Sequence, residues 1–162
     1  MSALAAQGRQ LGVATRLLEA TLAVNGERAD ALVRLVADGV PLAGARIAVL
    51  GLAFKPDTDD VRETPAVPVI ERLVDAGATV VAHDPVVERL PARIAALDGV
   101  TLEPDLPAAL QGADAAVLVT RWDAYQELPS LLAALDPSPL LVDGRRVIAR
   151  DSVSRYAGIG AG

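Results

Sequence analysis

The sequence predicts an α/β fold in which a doubly wound parallel sheet is preceded by a long helical arm. After residue 40, short apolar segments of strand length alternate with segments of helical periodicity, which is typical of repeated β-α units. One segment, "AAVLVT" at 115–120, is almost wholly apolar, as expected of a strand covered on both faces. An amphipathic pattern before residue 40 predicts the arm. The 162 residues suffice for one domain with a substantial core.

The arm is predicted to contain two helical segments. Residues 2–11 form a short one, which Gly12 closes. A long helix is predicted from about Thr15 to Asp38, because apolar residues recur there at spacings of three and four. Gly39 is a suitable residue to end it.

The long helix exceeds what a small α/β domain needs, since at 1.5 Å per residue it would be roughly 36 Å long. We expect it to join two domains or to pack against a second copy of itself. Leu18, Leu22 and Asn25 lie on its apolar side and are the expected dimer contacts. An equally good alternative is that Asn25 is partly buried and bonded within its own subunit.

The first β-α unit follows the arm. "RIAVLGL" at 46–52 predicts a buried strand, and "TPAVPVIERLVDAGA" at 64–78 predicts a helix. Thr64 is the expected N-cap, Pro65 the first helical residue and Gly77 the residue that ends the helix.

The rest of the chain repeats this alternation without an internal sequence repeat. The tail "YAGIGAG" at 156–162 is expected either to add a short edge strand or to fray. The remaining predicted elements are a strand at 79–84, a helix at 105–113 capped by Asp105, a strand at 115–120, a helix around 123–135 and a strand at 139–144.

Composition excludes several classes of function. A formal net charge of −6 argues against binding to nucleic acid or to an anionic membrane. The sequence has no cysteine and a single histidine, His83, so a thiol nucleophile and a metal site are not expected. No apolar run is long enough to span a bilayer, and the first residues do not resemble a leader. We therefore expect a soluble, cytoplasmic protein.

Any function is expected at the carboxyl ends of the strands, where open parallel sheets bind ligands. Four segments follow strands and meet at that edge: Gly51–Glu63, His83–Pro85, Thr120–Asp123 and Asp143–Arg146.

The first of these segments is a poor dinucleotide-binding loop. The G-x-G-x-x-G pattern falls on Gly51, Ala53 and Pro56, so only one of its three glycines is present. Asp84 ends the second strand, where a ribose-binding carboxylate belongs, but it lies much farther along the chain than the usual ~20 residues. We therefore do not expect an NAD site here, and we interpret Asp84 as a strand-end or turn residue beside Pro85.

The same loop carries two cations, Lys55 and Arg62, among several carboxylates. One interpretation is a solvated loop with weak internal ion pairs and with acidic residues that favour a helix N-terminus. The other is that the carboxylates fix the cations toward a ligand or another domain. Arg145 follows the fourth strand, and its convergence with Lys55 would suit a phosphorylated small molecule. The carboxylates concerned are Asp57, Asp59, Asp60 and Glu63.

Three sequence blocks then indicate a family. "RIAVLGLAFKPDTDDVRETPAVPVIERLVDAGATVVAHDP" at 46–85 strongly resembles the C-terminal domain of UDP-glucose/GDP-mannose dehydrogenases, with its F-K, D-T-x-D-x-R-E and D-P landmarks. "GADAAVLVTRWDAYQEL" at 112–128 and "LLVDGRRVI" at 140–148 match later landmarks in the right order. The resemblance covers nearly the whole chain.

The resemblance implies two parts. Residues 1–40 would be the central helical arm, which builds a homodimer, and residues 41–162 a Rossmann-like domain that binds a nucleotide sugar.

The resemblance also implies roles for single residues. Phe54 and Lys55 would contact a UDP- or GDP-sugar, and Arg145 would contact its base or phosphate side. Arg62, with Asp60 beside it, would face the NAD-binding half of a complete enzyme.

Complete members of the family bind NAD in an N-terminal Rossmann domain and use a cysteine between the two halves. This chain contains neither, so we expect it to bind no cofactor alone and not to oxidise UDP-glucose without a partner, such as a separate NAD-domain chain. Two alternatives stay open: a dimeric, non-catalytic interaction module with a vestigial site, and a repurposed enzyme that uses the same crevice.

Overall fold

A single parallel sheet organises the fold. The structure is a computed structural model that describes residues 1–160, so the last two residues of the predicted tail lie outside the described residues. Within residues 1–160, six strands lie in the order β3-β2-β1-β4-β5-β6, and every neighbouring pair is parallel. The predicted doubly wound α/β fold is confirmed. The strands are β1 Arg46–Leu50, β2 Thr79–His83, β3 Val100–Leu102, β4 Ala115–Leu118, β5 Leu140–Asp143 and β6 Tyr156–Gly158.

The two edge strands are the parts of the sheet that the sequence indicates least. β3 was not predicted, because it has three residues, of which none is fully buried, and so it lacks an apolar run. β6 is the short edge strand that was one of the two outcomes expected for the tail. Both lie outside the four central strands, whose side chains are largely buried.

The helices broadly follow the prediction. The Thr64 hydroxyl accepts a hydrogen bond from the Ala66 N–H at 3.2 Å, although the helix begins one residue later than expected. Asp105 caps the next predicted helix by accepting from the Ala108 N–H at 3.0 Å. The helices are α1 Ser2–Gln10, α2 Arg16–Gly39, α3 Ala66–Asp75, α4 Ala92–Ala95, α5 Leu106–Leu110 and α6 Leu128–Ala133.

The helix predicted around 123–135 is divided. Residues Asp123–Glu127 form a 3₁₀ segment, and α6 follows it directly. Pro129 lies in the first turn of α6, where its missing N–H leaves no helical hydrogen bond unmade. The proline thus begins a new helix instead of continuing the previous one.

The long helix α2 extends beyond the body that it packs on. Its buried residues, Ala29, Leu32 and Val36, all lie in its second half. In the first half Leu17 is 81% exposed and Val24 is 48% exposed. The predicted overshoot is therefore present in the structure.

The three residues expected at a dimer contact lie in that first half. Leu18 and Leu22 are half-buried, whereas Asn25 is exposed. The alternative of a partly buried Asn25 bonded within its own subunit is wrong.

The core is aliphatic, as the scarcity of aromatic residues predicts. Ala, Val, Leu and Ile fill both faces of the central strands, and the Tyr125 ring is the main aromatic contribution. Burying each large aliphatic side chain contributes about 1.5–3 kcal/mol. The central strands consequently form a rigid platform beneath the loops at their carboxyl ends.

Candidate functional site

The candidate site lies where the strand order reverses. β1 has β2 on one side and β4 on the other, so the chain leaves the centre of the sheet in opposite directions. Sheets of this kind open a crevice at the carboxyl ends of β1 and β4, the two adjacent strands from which the chain continues in opposite directions. The loops that follow β1, β2, β4 and β5 meet there.

The start of the loop after β1 is fixed to the end of β4. Gly51 has φ 97°, and a Cβ at this position would lie 2.6 Å from both the backbone nitrogen and the Cβ of Thr120. The Thr120 hydroxyl donates to the Ala53 carbonyl at 2.7 Å. Gly51 is thus required for close packing against the protein's own backbone.

Asp84 joins three of the four loops. Its side chain is 3% exposed, and both carboxylate oxygens accept hydrogen bonds. Oδ2 accepts from the N–H groups of Leu52 at 2.7 Å and Ala53 at 2.9 Å and from the Trp122 indole at 3.2 Å. Oδ1 accepts from the backbone N–H groups of Val86 at 3.0 Å and Val87 at 3.2 Å.

The position of Asp84 at the end of the second strand is confirmed, but its five hydrogen bonds were not predicted. A carboxylate that directly follows an apolar strand and precedes a proline is the available sequence signal. The identity of its distant partners depends on how the strands are ordered in the sheet.

His83 and Tyr125 form a second buried link beside Asp84. The Tyr125 hydroxyl donates to the His83 carbonyl at 3.1 Å and lies 3.1 Å from His83 Nδ1. Burial lowers the pKa of His83, and the nearby carboxylates of Asp84, Asp105 and Glu103 only partly offset this effect. Burial also raises the pKa of Tyr125. Both side chains are therefore uncharged at neutral pH.

Asp143 has the corresponding role at the end of β5 and is fully buried. Its Oδ1 accepts from the Arg145 N–H at 2.8 Å, and its Oδ2 accepts from the N–H groups of Val147 at 2.8 Å and Ile148 at 2.9 Å. The Arg145 side chain then crosses the sheet edge, where its Nε donates to the Val119 carbonyl at 2.5 Å. Arg145 thus lies over the carboxyl end of β4, beside the crevice.

Phe54 and Lys55 lie on the outer part of the loop after β1. Phe54 is 49% exposed, and its N–H donates to the Asp60 carbonyl at 2.8 Å, which closes the loop. Lys55 is exposed and makes no ion pair or hydrogen bond with any residue in the described range 1–160. Its ammonium group is available for an external anion.

Arg62, by contrast, has an internal partner. Its Nε and Nη2 donate to the two carboxylate oxygens of Asp60 at 2.9 and 2.8 Å, and its backbone N–H donates to Oδ1 at 2.9 Å. These hydrogen bonds, with a smaller effect from the Lys55 charge, lower the pKa of Asp60 to about 2. The Arg62 side chain is 87% exposed, so the pair is fixed in direction but faces solvent.

Arg28 is a cation near this edge that the sequence analysis missed. Leu32 of α2 packs on Gly144, since a Cβ on that glycine would lie 3.1 Å from Leu32 Cδ2. Arg28 precedes Leu32 by one helical turn and therefore faces the loop after β5. Loss of solvent lowers the pKa of Arg145, and the charge of Arg28 acts in the same direction. Within residues 1–160, neither arginine has a carboxylate partner.

The predicted site residues thus form two groups. Phe54, Lys55, Asp60 and Arg62 share the loop after β1, and Arg145 lies on the loop after β5, whose strand is separated from β1 by β4. The expected dimer residues Leu18, Leu22 and Asn25 lie apart, on the first half of α2.

Two cavities in the described residues lie outside the central crevice. One, of about 310 Å³, is shallow and lies between α2 and the end of β6, with Arg34, Asp38 and Ile159 among its lining residues. The other, of about 200 Å³, lies at the opposite ends of the strands and includes Pro41, Asp114 and Arg155.

Two further properties concern the described residues as a whole. Over residues 1–160, no three histidine, aspartate or glutamate side chains come together as a metal site requires. No helix in that range combines the length and the apolar character needed to cross a membrane.

Comparison with known proteins gives consistent matches. Residues 48–150 match the sequence model described as the UDP-glucose/GDP-mannose dehydrogenase family, UDP binding domain. UDP-glucose 6-dehydrogenase from Rhizobium meliloti is 41% identical over 152 residues, which are 90% of this chain and 34% of that protein. The corresponding enzyme AglM from Haloferax volcanii is 39% identical over 150 residues, 92% of this chain and 34% of that protein.

Solved structures agree with the sequence matches. A UDP-glucose dehydrogenase from Pyrobaculum islandicum superposes with a TM-score of 0.76 at 34% identity, over 97% of this chain and 35% of that one. An NDP-N-acetyl-D-galactosaminuronic acid dehydrogenase from Methanosarcina mazei superposes with a TM-score of 0.66 at 32% identity, over 83% of this chain and 29% of that one. This chain spans about a third of the length of the relatives that it matches.

Proposed function

Because the chain belongs to the UDP-glucose/GDP-mannose dehydrogenase family, we propose that it binds the nucleotide part of a UDP sugar at the carboxyl edge of its sheet. The observation that carries this proposal is the set of cations at that edge. Lys55, Arg145 and Arg28 have no carboxylate partner in the described residues, although the chain as a whole has a net charge of −6. An anionic ligand would complete this arrangement.

Each residue has a role that fits its geometry. The Lys55 ammonium would bind phosphate oxygens as a compact charge, and the Arg145 guanidinium would bind them from the other side of the crevice. The exposed Phe54 ring offers an apolar surface for the base or the sugar. Arg28 would add a longer-range attraction to the same anion.

We also propose that Arg62 faces another part of a complete dehydrogenase. Asp60 holds its guanidinium in one direction, while the side chain itself stays exposed. Oxidation of the bound sugar would require an NAD-binding half, in the same polypeptide or in a separate chain. We therefore expect no NADH when this chain alone is mixed with UDP-glucose and NAD.

The arm is proposed to form a homodimer. Residues 1–40 would be the dimerisation arm and residues 41–162 the ligand-binding domain. The exposed Leu17 and Val24, with the half-buried Leu18 and Leu22 on the same helix, give α2 an apolar surface that a second copy could cover. Sedimentation velocity tests this directly, since a monomer at micromolar concentration would contradict it.

The exposed arm also supports a second candidate, a dimeric interaction module whose site binds nothing. Calorimetric titration separates the two functions, using UDP, UDP-glucose and GDP-mannose as ligands. We expect UDP and UDP-glucose to bind and Lys55→Ala to weaken both. Arg34→Ala is the matched control, because Arg34 is an exposed cation of α2 that lines the cavity beside β6, outside the central crevice. A dimer that gives no heat with any ligand would favour the interaction module.

A further inference from the structure

In sheets with this strand order, the backbone at the start of the loop after β1 commonly binds phosphate. In dinucleotide-binding domains, the N–H groups that follow the first strand and the N-terminus of the next helix bind the pyrophosphate. Here the helix is remote, because α3 begins only at Ala66. The N–H groups of Leu52 and Ala53 are present, but both donate to Asp84 Oδ2, at 2.7 and 2.9 Å.

We propose that Asp84 is a built-in anion that occupies the place where this fold binds a dinucleotide phosphate. The crevice then excludes a dinucleotide at that place, and any phosphate that it binds is recognised by side chains. Asp84 is thus a specificity-determining residue. This inference concerns the chain without ligand and does not depend on the proposed function.

The N–H groups of Leu52 and Ala53 both donate to Asp84 and are not free to bind a second anion. Three N–H groups converge on Oδ2, the third being the indole N–H of Trp122. The carboxylate is 3% exposed, so it cannot move into solvent without breaking these bonds. An entering phosphate would have to compete for the same amides while lying next to a negative charge, which disfavours it strongly.

The backbone is also fixed against rearrangement. Gly51, which in a dinucleotide-binding loop would allow close approach of a ligand, is instead in close contact with Thr120. The Ala53 carbonyl accepts from the Thr120 hydroxyl at 2.7 Å, and the Phe54 N–H of the same peptide donates to the Asp60 carbonyl at 2.8 Å, so this peptide is held on both sides. The residues present therefore do not fit the pyrophosphate of NAD at this loop.

The same contacts set the position of the site residues. Phe54 and Lys55 directly follow Ala53, whose N–H and carbonyl are both bonded. The start of the loop that carries them is consequently fixed before any ligand arrives, which reduces the entropy lost on binding.

The first test uses the wild-type chain without ligand. Amide exchange and NMR resonances of Leu52, Ala53 and the Trp122 indole are recorded, then followed during titration with inorganic pyrophosphate and with NAD. Trp122 is the only tryptophan, so its indole signal is unambiguous. We expect strong protection from exchange and no movement of these three signals. Rapid exchange at Leu52 and Ala53, or saturable shifts with pyrophosphate, would overturn the proposal.

The second test replaces the built-in anion by a free one. Formate can enter the space left by Asp84→Ala, so we expect it to raise the melting temperature of this variant by several degrees more than chloride at equal ionic strength. Asp114→Ala is the control, because Asp114 accepts from a backbone N–H at an exposed position. If Asp84→Ala does not fold in chloride, we expect it to refold in formate. A response to formate equal to that of the wild type, or a failure to refold in it, counts against the proposal.

Titration of the wild-type sample with UDP-glucose separates the two proposals. If the amides of Leu52 and Ala53 are protected but UDP-glucose does not bind, the proposed function is contradicted and the proposed role of Asp84 is not. If UDP-glucose binds and shifts the amide signals of Leu52 and Ala53 as strongly as that of Lys55, the ligand uses the backbone amides. That result would contradict the proposed role of Asp84 but not the proposed function.

Discussion

The buried Asp143 carboxylate accepts the backbone N–H of Arg145 at 2.8 Å and so determines where that arginine leaves β5. The buried Asp84 carboxylate, at the end of β2, likewise accepts the backbone N–H groups of Leu52 and Ala53 and so fixes the start of the loop after β1. In both places a carboxylate at the end of a central strand fixes the backbone, while the cations on the loops, Lys55 and Arg145, have no carboxylate partner within residues 1–160. The acidic strand ends and the basic loop residues therefore have complementary structural roles.

Removal of the Asp143 charge should destabilise the fold and weaken ligand binding together. Asp143→Asn keeps the size of the side chain but turns an amide NH₂ toward at least one backbone N–H, so a buried donor loses its acceptor. We expect the free energy of unfolding to fall by about 2 kcal/mol. Urea denaturation measures this. Asp98→Asn, an exposed control, should change it by less than about 0.5 kcal/mol; equal effects for both variants would show that the Asp143 contacts contribute nothing.

Acid should destabilise the chain through His83. Burial lowers its folded pKa below the usual 6.5, so below that pH the unfolded chain binds a proton that the folded chain does not. The free energy of unfolding should therefore decrease as pH falls from about 6.5 toward the folded pKa.

Urea denaturation of the wild type and of His83→Asn, at pH 7.5 and at pH 5.5, isolates this effect. We expect the wild type to lose more stability than the variant, and equal losses would be evidence against it. The pH range of the His83 effect lies well above the range in which Asp60 titrates. Because the pKa of Asp60 is lowered to about 2, its contribution to the free energy of unfolding is lost only as pH falls below about 3.8.

A matched pair of glycines tests the close contact below the site. Gly51→Ala adds a methyl group 2.6 Å from Thr120 at φ 97°, whereas Gly112→Ala has φ 66° and no atom within 4 Å. The control carries only backbone strain, about 1–2 kcal/mol. We expect Gly51→Ala to cost about 1–3 kcal/mol more, because the methyl group must displace packed backbone. Equal melting temperatures for the two variants would disprove the contact.

Arg28 should contribute to ligand affinity without contributing to stability. Arg28→Glu places a carboxylate next to Arg145, which would compete with a bound phosphate. We expect UDP-glucose affinity to fall roughly tenfold, about 1.4 kcal/mol, with an unchanged melting temperature. Arg34→Glu carries the same charge change at an exposed position of α2 beside β6, outside the central crevice, and calorimetry should find its affinity unaltered. If both variants weaken binding alike, the effect comes from overall charge.

Local sequence signals predicted the central part of the fold. Continuous apolar runs indicated four strands correctly, and Asp105 and Gly77 lie at the helix ends where their chemistry suggested. β3 was missed because three partly exposed residues give no periodic pattern. The division of the helix around 123–135 was missed although Pro129 was visible, because a proline in a first turn is compatible with either outcome.

The site was predictable only in part. Sequence motifs indicated Lys55, Arg62 and Arg145 as candidates, since each directly follows a predicted strand or lies in the loop behind it, and ligand binding by these residues stays a prediction. The acceptor role of Asp84 and the position of Arg28 depend on contacts between residues far apart in the chain. Those contacts follow from the order of the strands and from how α2 packs on β5, neither of which the local pattern specifies.

The most direct test of the proposed function is to map UDP-glucose on the wild-type chain by amide NMR. Binding at the carboxyl edge predicts saturable shifts at Phe54, Lys55 and Arg145, while the cavity around Pro41 and Arg155 at the opposite end of the strands stays unchanged. Absence of any shift, or shifts confined to that opposite end, would contradict the claim that these loops bind a UDP sugar.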